Sequence, residues 1–267
     1  MNFKLRLSYL VFYLAFLFVN NNFAQTMPDS FRVIKNNSFK VGEKLTFKIK
    51  YGFVTAGISV MQIKDEKIIS GRKVNHVVFE VNSVPSFDWI YKVRDRYETF
   101  IDVEGVFPWR FEQHIREGGY KRDYSAYFDQ RNDKAYTSEG VFDIPKYVND
   151  IISALYLSRT FDYSKLKVND EFHLKNFHKG KTYDLDLVYR GKEEINVPAG
   201  KFKSILVEPI VKAGGLFKSE GSIYVWLSDD ELKVPIKVKS KIVVGSIDAV
   251  LSDYTGLAGE FKAKISK

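Results

Sequence analysis

The sequence predicts an all-β protein: antiparallel curved sheets or one barrel-like body, built from two similar halves with one short helix between them. Three observations predict this class. Apolar and polar residues alternate through most of the chain, and glycine, asparagine and aspartate separate the alternating segments. Several short motifs also recur about 127 positions apart, which indicates a repeated supersecondary unit.

The first residues have the pattern of a secretory signal peptide. Lys4 and Arg6 precede an apolar run over 7–19, and Ala24 offers a small residue for cleavage. The run is shorter than the roughly 20 residues of a spanning helix, although a retained anchor is the alternative. We therefore expect residues 1–25 to be removed and 26–267 to form a single β-rich domain without a transmembrane span.

Composition limits the classes of function. The chain has no cysteine, so neither disulfides nor an acylated N-terminal cysteine is expected, and 45% hydrophobic residues supply a core instead. The formal charge of +8 is spread along the chain rather than gathered in a block. This pattern indicates solubility and mild attraction to anionic surfaces, and it predicts no nucleic-acid partner.

The strands are predicted from alternation. In "KLTFKIKYGF", Leu45, Phe47, Ile49 and Tyr51 alternate with polar residues, as in a strand with one buried face. Similar segments recur up to "IDAVLSDY" near the C-terminus.

One segment has helical spacing instead. Apolar residues from Val148 to Tyr156 fall at intervals of three and four, after Pro145 and next to Asn149 or Asp150 as a cap. The spacing predicts a helix over about 146–160.

The repeat is predicted from matched spacings. Asp102 and Pro108 match Asp229 and Pro235, and Gly118 matches Gly245, all at an offset of 127. Two halves, about 40–130 and 165–256, are therefore expected to superpose. The alternative is that two meanders with glycine turns align by coincidence.

Four blocks in order carry a family resemblance: "KVRDRYETFIDVEGVFPWRFEQHIREGGY", "DIISALYLSR", "VPAGKFKSILVEP" and "VWLSDDELKVPIKVKSKIVVGSIDAVL". They resemble the domain of unknown function 3108 family from about Gly42 to Leu251. The resemblance implies an exported, mainly β protein of a Gram-negative envelope. It implies no catalytic residue.

Most catalytic chemistries lack their residues. There is no cysteine nucleophile and no Gly-x-Ser-x-Gly elbow, although a serine triad assembled from distant positions stays open. Of the four histidines, only His173 and His178 lie close in sequence, without an evident third ligand. We expect no metal, no cofactor and no catalytic residue, and a non-enzymatic role is favoured over an enzymatic one.

A basic strand face is one candidate binding site. Alternation in "YKVRDRYETF" places Arg94 and Arg96 on one face and Tyr97 on the other. The candidate ligand-binding set is Arg94, Arg96, Arg110, Arg116 and Lys121, whose side chains would hold a carboxylate or phosphate if they line a concavity. The alternative is a solvated outer face with cross-strand charge pairs.

Apolar loops are the second candidate. "VPSFDWIY" and "AGGLFKSEG" place Phe87, Trp89, Leu216 and Phe217 at predicted turns, where they would contact a membrane or a partner. The alternative is that they fold back over the ends of the sheet.

The sequence thus favours a periplasmic binding or scaffolding protein for an apolar or amphiphilic envelope component or partner protein, with outer-membrane association or secretion as variants. The partners it would take are lipid, glycan or another envelope protein. The alternative is an enzyme that acts on envelope glycans or lipids through a dispersed site.

Overall fold

The computed structural model describes residues 31–212, 222–241 and 245–266. Most of them lie in strands of one long antiparallel sheet that is curved but not closed, which confirms the predicted fold class. The strands are β1 (Lys44–Tyr51), β2 (Val54–Ile69), β3 (Arg72–Ser83), β4 (Arg94–Asp102), β5 (Pro108–Glu117), β6 (Tyr120–Asp129), β7 (Lys134–Thr137), β8 (Gly140–Asp143), β9 (Glu171–His178), β10 (Lys181–Val197), β11 (Gly200–Lys212), β12 (Ile223–Ser228), β13 (Pro235–Lys241), β14 (Ser246–Thr255) and β15 (Lys264–Ile265). Two helices accompany them, α1 (Pro85–Asp88) and α2 (Ile151–Ser158).

The sheet is two meanders joined in its middle. Strands β1 to β8 pair in chain order, β9 to β14 do the same, and β1 pairs with β14, while β15 pairs with β11. Pro108 and Pro235 each begin a strand, where a missing backbone donor is tolerated, and Gly118 and Gly245 lie at the following turns. The strand order therefore follows the spacing of the motifs, and the superposition of the two halves stays a prediction.

The sheet has two different ends. At one, which we call the turn end, lie the connections at 52–53, 84–93, 118–119, 138–139 and 179–180. At the other, the helix end, lie the segment 144–170 with α2 and the terminal segments 31–43 and 256–266. Among the described residues, the interior is therefore covered by longer segments at the helix end and bordered by the connections between neighbouring strands at the turn end.

Helix α2 begins where the sequence predicts a cap. Asp150 Oδ1 accepts from the backbone N–H groups of Ile152 and Ser153 at 2.8 and 2.9 Å, and Ser153 Oγ accepts from the Asp150 N–H. This capping box satisfies donors that have no partner within the helix. The helix is shorter than predicted, because residues 146–147 form a turn and Asn149 pairs with β9.

The open edges of the sheet, β8 and β9, approach each other. The rings of Phe142 and Phe177 lie 5.9 Å apart, and Asn149 exchanges backbone hydrogen bonds with β9. Gly180 has φ +72°, and a Cβ there would lie 2.7 Å from the Phe142 ring. Contacts of side chains and of the segment before α2 therefore cover part of the gap that strand pairing leaves.

Candidate functional site: an apolar cavity under helix α2

The curved sheet and α2 border a cavity of about 410 Å³. This volume lies within the roughly 300 to 1,000 Å³ of small-molecule sites. Its walls are predominantly apolar and aromatic. The apolar lining residues are Phe47, Met61, Phe79, Val81, Tyr97, Phe111, Tyr124, Phe128, Ile151, Ile152, Leu155, Phe177, Pro235, Val238 and Ala249.

One wall of the cavity is a cross-strand row. Met61, Phe79, Tyr97, Gln113 and Tyr124 are successive partners on β2 to β6, so their side chains project from the same face of the sheet. Phe79 and Tyr97 pack with ring centroids 6.0 Å apart. The strand register therefore assembles a wall from residues that are far apart in sequence.

Helix α2 forms the opposite wall. Ile151, Ile152 and Leu155 all border the cavity, and Ile152 is also buried in the core. Ile151 is 37% exposed, and the cavity that it lines is partly open to solvent.

Few polar atoms face the cavity, and most of them remain uncharged. Ser59 Oγ and Asn176 Nδ2 are buried and have no hydrogen-bond partner among the described residues. Burial raises the pKa of the Tyr97 phenol to about 12, so the phenol is neutral well beyond pH 7. The carboxyl of Asp150 accepts from Thr99 Oγ1 at 2.7 Å besides capping α2, and burial raises its pKa. The hydrogen bonds of the Asp150 carboxyl are therefore made to groups of the protein rather than directed into the cavity.

Positive charge gathers where the cavity meets the turn end. Arg122, His178 and Lys179 line this part of the cavity. Arg122 donates to Glu139 Oε1 at 2.6 Å and lies over the Tyr124 ring. Burial, together with the positive charges of Lys179 and Arg122, lowers the pKa of His178 to about 4, against the opposing effect of Glu139.

The predicted basic residues lie on the other side of the sheet. Tyr97 lines the cavity, so its strand neighbours Arg94 and Arg96 point away from it. Arg94 pairs with Asp88 at 2.6 Å, and Arg96 pairs with Glu80 and Glu98. Of the remaining set, Arg110 pairs with Glu112, Arg116 pairs with Asp123, and Lys121 is exposed. Ligand binding by these residues stays a prediction, and their geometry is that of cross-strand charge pairs.

The predicted apolar loop at 84–91 is at the turn end. Trp89 is 82% exposed, whereas Phe87 is half-buried; Leu216 and Phe217 lie outside the described residues. Sequence reasoning did not select Phe53, which is fully exposed in the β1–β2 turn, or Tyr120 at the β5–β6 turn. An apolar residue next to a turn glycine was the available signal, in Gly52-Phe53 and Gly119-Tyr120.

A small group of metal-type ligands lies elsewhere on the sheet. Glu171, His173 and Asp186 place one ligand atom each within 4.8 Å of one another, and His173 Nδ1 lies 2.7 Å from Asp186 Oδ1. His173 and Asp186 are directly opposite each other on β9 and β10, which explains this arrangement. The two residues are far apart in sequence, so the sequence analysis did not group them.

Fold and cavity together define a class: a curved antiparallel sheet that wraps a short helix and an apolar cavity. The chain belongs to the family of proteins of unknown function DUF3108, whose model matches residues 46–252. This confirms the resemblance seen in the four sequence blocks. No curated protein matches the chain.

One of the similar solved structures supports the fold. The chain is similar to a β-barrel-like protein of the domain of unknown function DUF1849 from Brucella abortus, at 9% identity and a TM-score of 0.53, over 85% of this chain and 99% of that one. A candidate exported protein with a YmcC-like fold from Bacteroides fragilis matches at 11% identity and a TM-score of 0.41, over 84% and 100%. A candidate lipoprotein from Parabacteroides distasonis matches at 11% identity and a TM-score of 0.35, over 84% and 99%.

Among the described residues, none of the helices has the length and apolar character that crossing a bilayer requires.

Proposed function

We propose that this protein is a non-enzymatic binding protein that shelters the apolar part of an envelope lipid or similar amphiphile in the cavity under α2. The observation that carries the proposal is the predominantly apolar lining of a solvent-accessible cavity of about 410 Å³. Apolar walls favour an apolar ligand because its surface leaves water on binding.

The few polar groups support binding over catalysis. An enzyme acting on glycans would need carboxylates that converge on a polar groove. Asp150 is the acidic residue among the lining side chains, and its carboxyl is occupied by Thr99 and the N-terminus of α2.

The signal-like segment at 1–25 supports an exported location, and we place the protein in the periplasm on that basis. The turn end supports contact with a membrane. Phe53, Trp89, Ile90 and Tyr120 are exposed there, and lysines lie among them, including Lys92, Lys121, Lys179, Lys181 and Lys241. Apolar side chains that enter the interface and lysines that attract anionic headgroups would bring the cavity to a leaflet rich in anionic lipid.

The cavity is tested with phenylnaphthylamine, a neutral apolar dye whose fluorescence rises when it leaves water. We expect saturable binding by the wild type, and Ile151→Trp, which fills the cavity, should weaken it by about tenfold or more. Ile210→Trp is the matched control, because Ile210 is also 37% exposed and lies outside the cavity. Equal binding by both variants and the wild type would refute the proposal.

A further inference from the structure

The charged part of the cavity indicates which amphiphile it takes. Arg122, His178 and Lys179 come from β6, the end of β9 and the turn that follows, and all three line the cavity. Among the described residues, Lys179 forms no ion pair, and Glu139 is the acidic partner of Arg122. The potential here is therefore positive, with one carboxylate against two permanent cations.

The lowered pKa of His178 agrees with this geometry, since Lys179 and Arg122 both disfavour a further positive charge there. In the part of the cavity next to α2, none of the described lining residues is basic, so no cation is available there to an anionic ligand. The buried Asp150 carboxyl accepts from Thr99 and from two backbone N–H groups of α2. A polar headgroup therefore has one favourable position, at the turn end.

We infer that the ligand is an anionic amphiphile, with its chain against the apolar walls and its carboxylate or phosphate between Arg122 and Lys179. This inference rests on the proposed function and adds the sign of the headgroup. A guanidinium and an ammonium both donate charge-assisted hydrogen bonds to such oxygens. Arg122 would exchange Glu139 for the ligand or share its donors between them.

The test compares two ligands of equal chain length, palmitic acid and cetyl alcohol, as competitors of phenylnaphthylamine. We expect the wild type to prefer the acid by about tenfold, the usual size of one charge-assisted hydrogen bond. Lys179→Gln should remove most of this preference, because it should weaken the binding of palmitic acid far more than that of cetyl alcohol. Lys181→Gln is the control, because Lys181 is an exposed lysine near the same turn that does not line the cavity.

The imidazole of His178 gives a second readout. Its pKa, followed by NMR, should rise when palmitate binds and stay constant when cetyl alcohol binds, because only the anion offsets the neighbouring cations. Equal affinities for acid and alcohol, with an unchanged His178 pKa, would overturn the inference and leave the proposed function intact. Failure of the dye and of both ligands to bind would instead refute the proposed function itself.

Discussion

Arg159 and Glu43, 116 positions apart, form a fully buried bidentate ion pair, with Nη1–Oε1 at 2.6 Å and Nη2–Oε2 at 2.7 Å. The guanidinium also donates to the backbone carbonyls of Ser38 and Leu232. The pair and the hydrogen bonds of its guanidinium therefore connect the C-terminal end of α2 to the residue before β1 and to the β12–β13 connection. This fixes the helix that forms one wall of the cavity.

Removing one partner of this pair should be costly. Glu43→Ala leaves a buried guanidinium without its counter-ion, and we expect a loss of about 3 to 5 kcal/mol in the free energy of unfolding in urea. Glu66→Ala is the control, because Glu66 pairs with Lys73 at 3.8 Å at the surface and should cost less than about 1 kcal/mol. Similar losses in both variants would contradict the structural role assigned to the pair.

Asp102 should make stability depend on acid pH. Burial opposes its ionisation, but hydrogen bonds from Arg72, Trp109 and the Gly105 N–H prevail and lower its pKa. Its stabilisation is therefore complete above the unfolded value of about 3.9 and is lost as the pH falls through the folded value. The free energy of unfolding, measured in urea, should decrease between about pH 5 and about pH 3, and Asp102→Asn should make this decrease smaller. An unchanged slope would count against this carboxylate as the cause.

Asp150 should show the opposite sign. Burial raises its pKa, so the folded state holds the proton more tightly, and the free energy of unfolding decreases as the pH rises through the folded pKa. Asp150→Asn keeps an acceptor for the helix cap and should flatten this decrease. Asp150→Ala also removes the cap and should cost about 0.5 to 2 kcal/mol throughout. The prediction is wrong if the asparagine variant keeps the wild-type pH profile.

His178 should destabilise the fold as the solution is acidified. Its folded pKa is about 4 against an ordinary 6.5, so the unfolded chain binds the proton more tightly between these values. Stability should decline as the pH falls through this window, and His178→Gln should reduce that decline in thermal unfolding. Identical profiles for the two proteins would show that His178 is not shielded as the structure indicates.

The turn end should bind membranes. Phe53→Ser combined with Trp89→Ser removes two exposed apolar groups, and we expect a clear loss of flotation with vesicles that contain anionic phospholipid. Ile68→Ser is the control, because Ile68 is 66% exposed near the helix end of β2. High salt should also weaken binding to the vesicles, because it screens the attraction between the exposed lysines and the anionic headgroups. Equal flotation of all variants would contradict docking through this end.

Local patterns predict the fold better than the cavity. Alternation in β1 identifies its buried face, and Asp150 marks the start of α2, because periodicity and caps depend on neighbours in sequence. Helix α1 was not predicted, because a single turn begun by Pro85 has no period to detect. The wall that Met61 and Gln113 share depends on the register of five strands, which no local pattern contains.

The most direct test of the central claim is to locate the ligand chain. A palmitic acid analogue with a diazirine near its methyl end would be bound, irradiated and mapped by peptide mass spectrometry. The account predicts cross-links to the cavity walls, in α2 at Ile151 or Leu155 and in the sheet at Met61 or Phe79. Cross-links confined to exposed residues such as Phe53 and Trp89, or none at all, would contradict it.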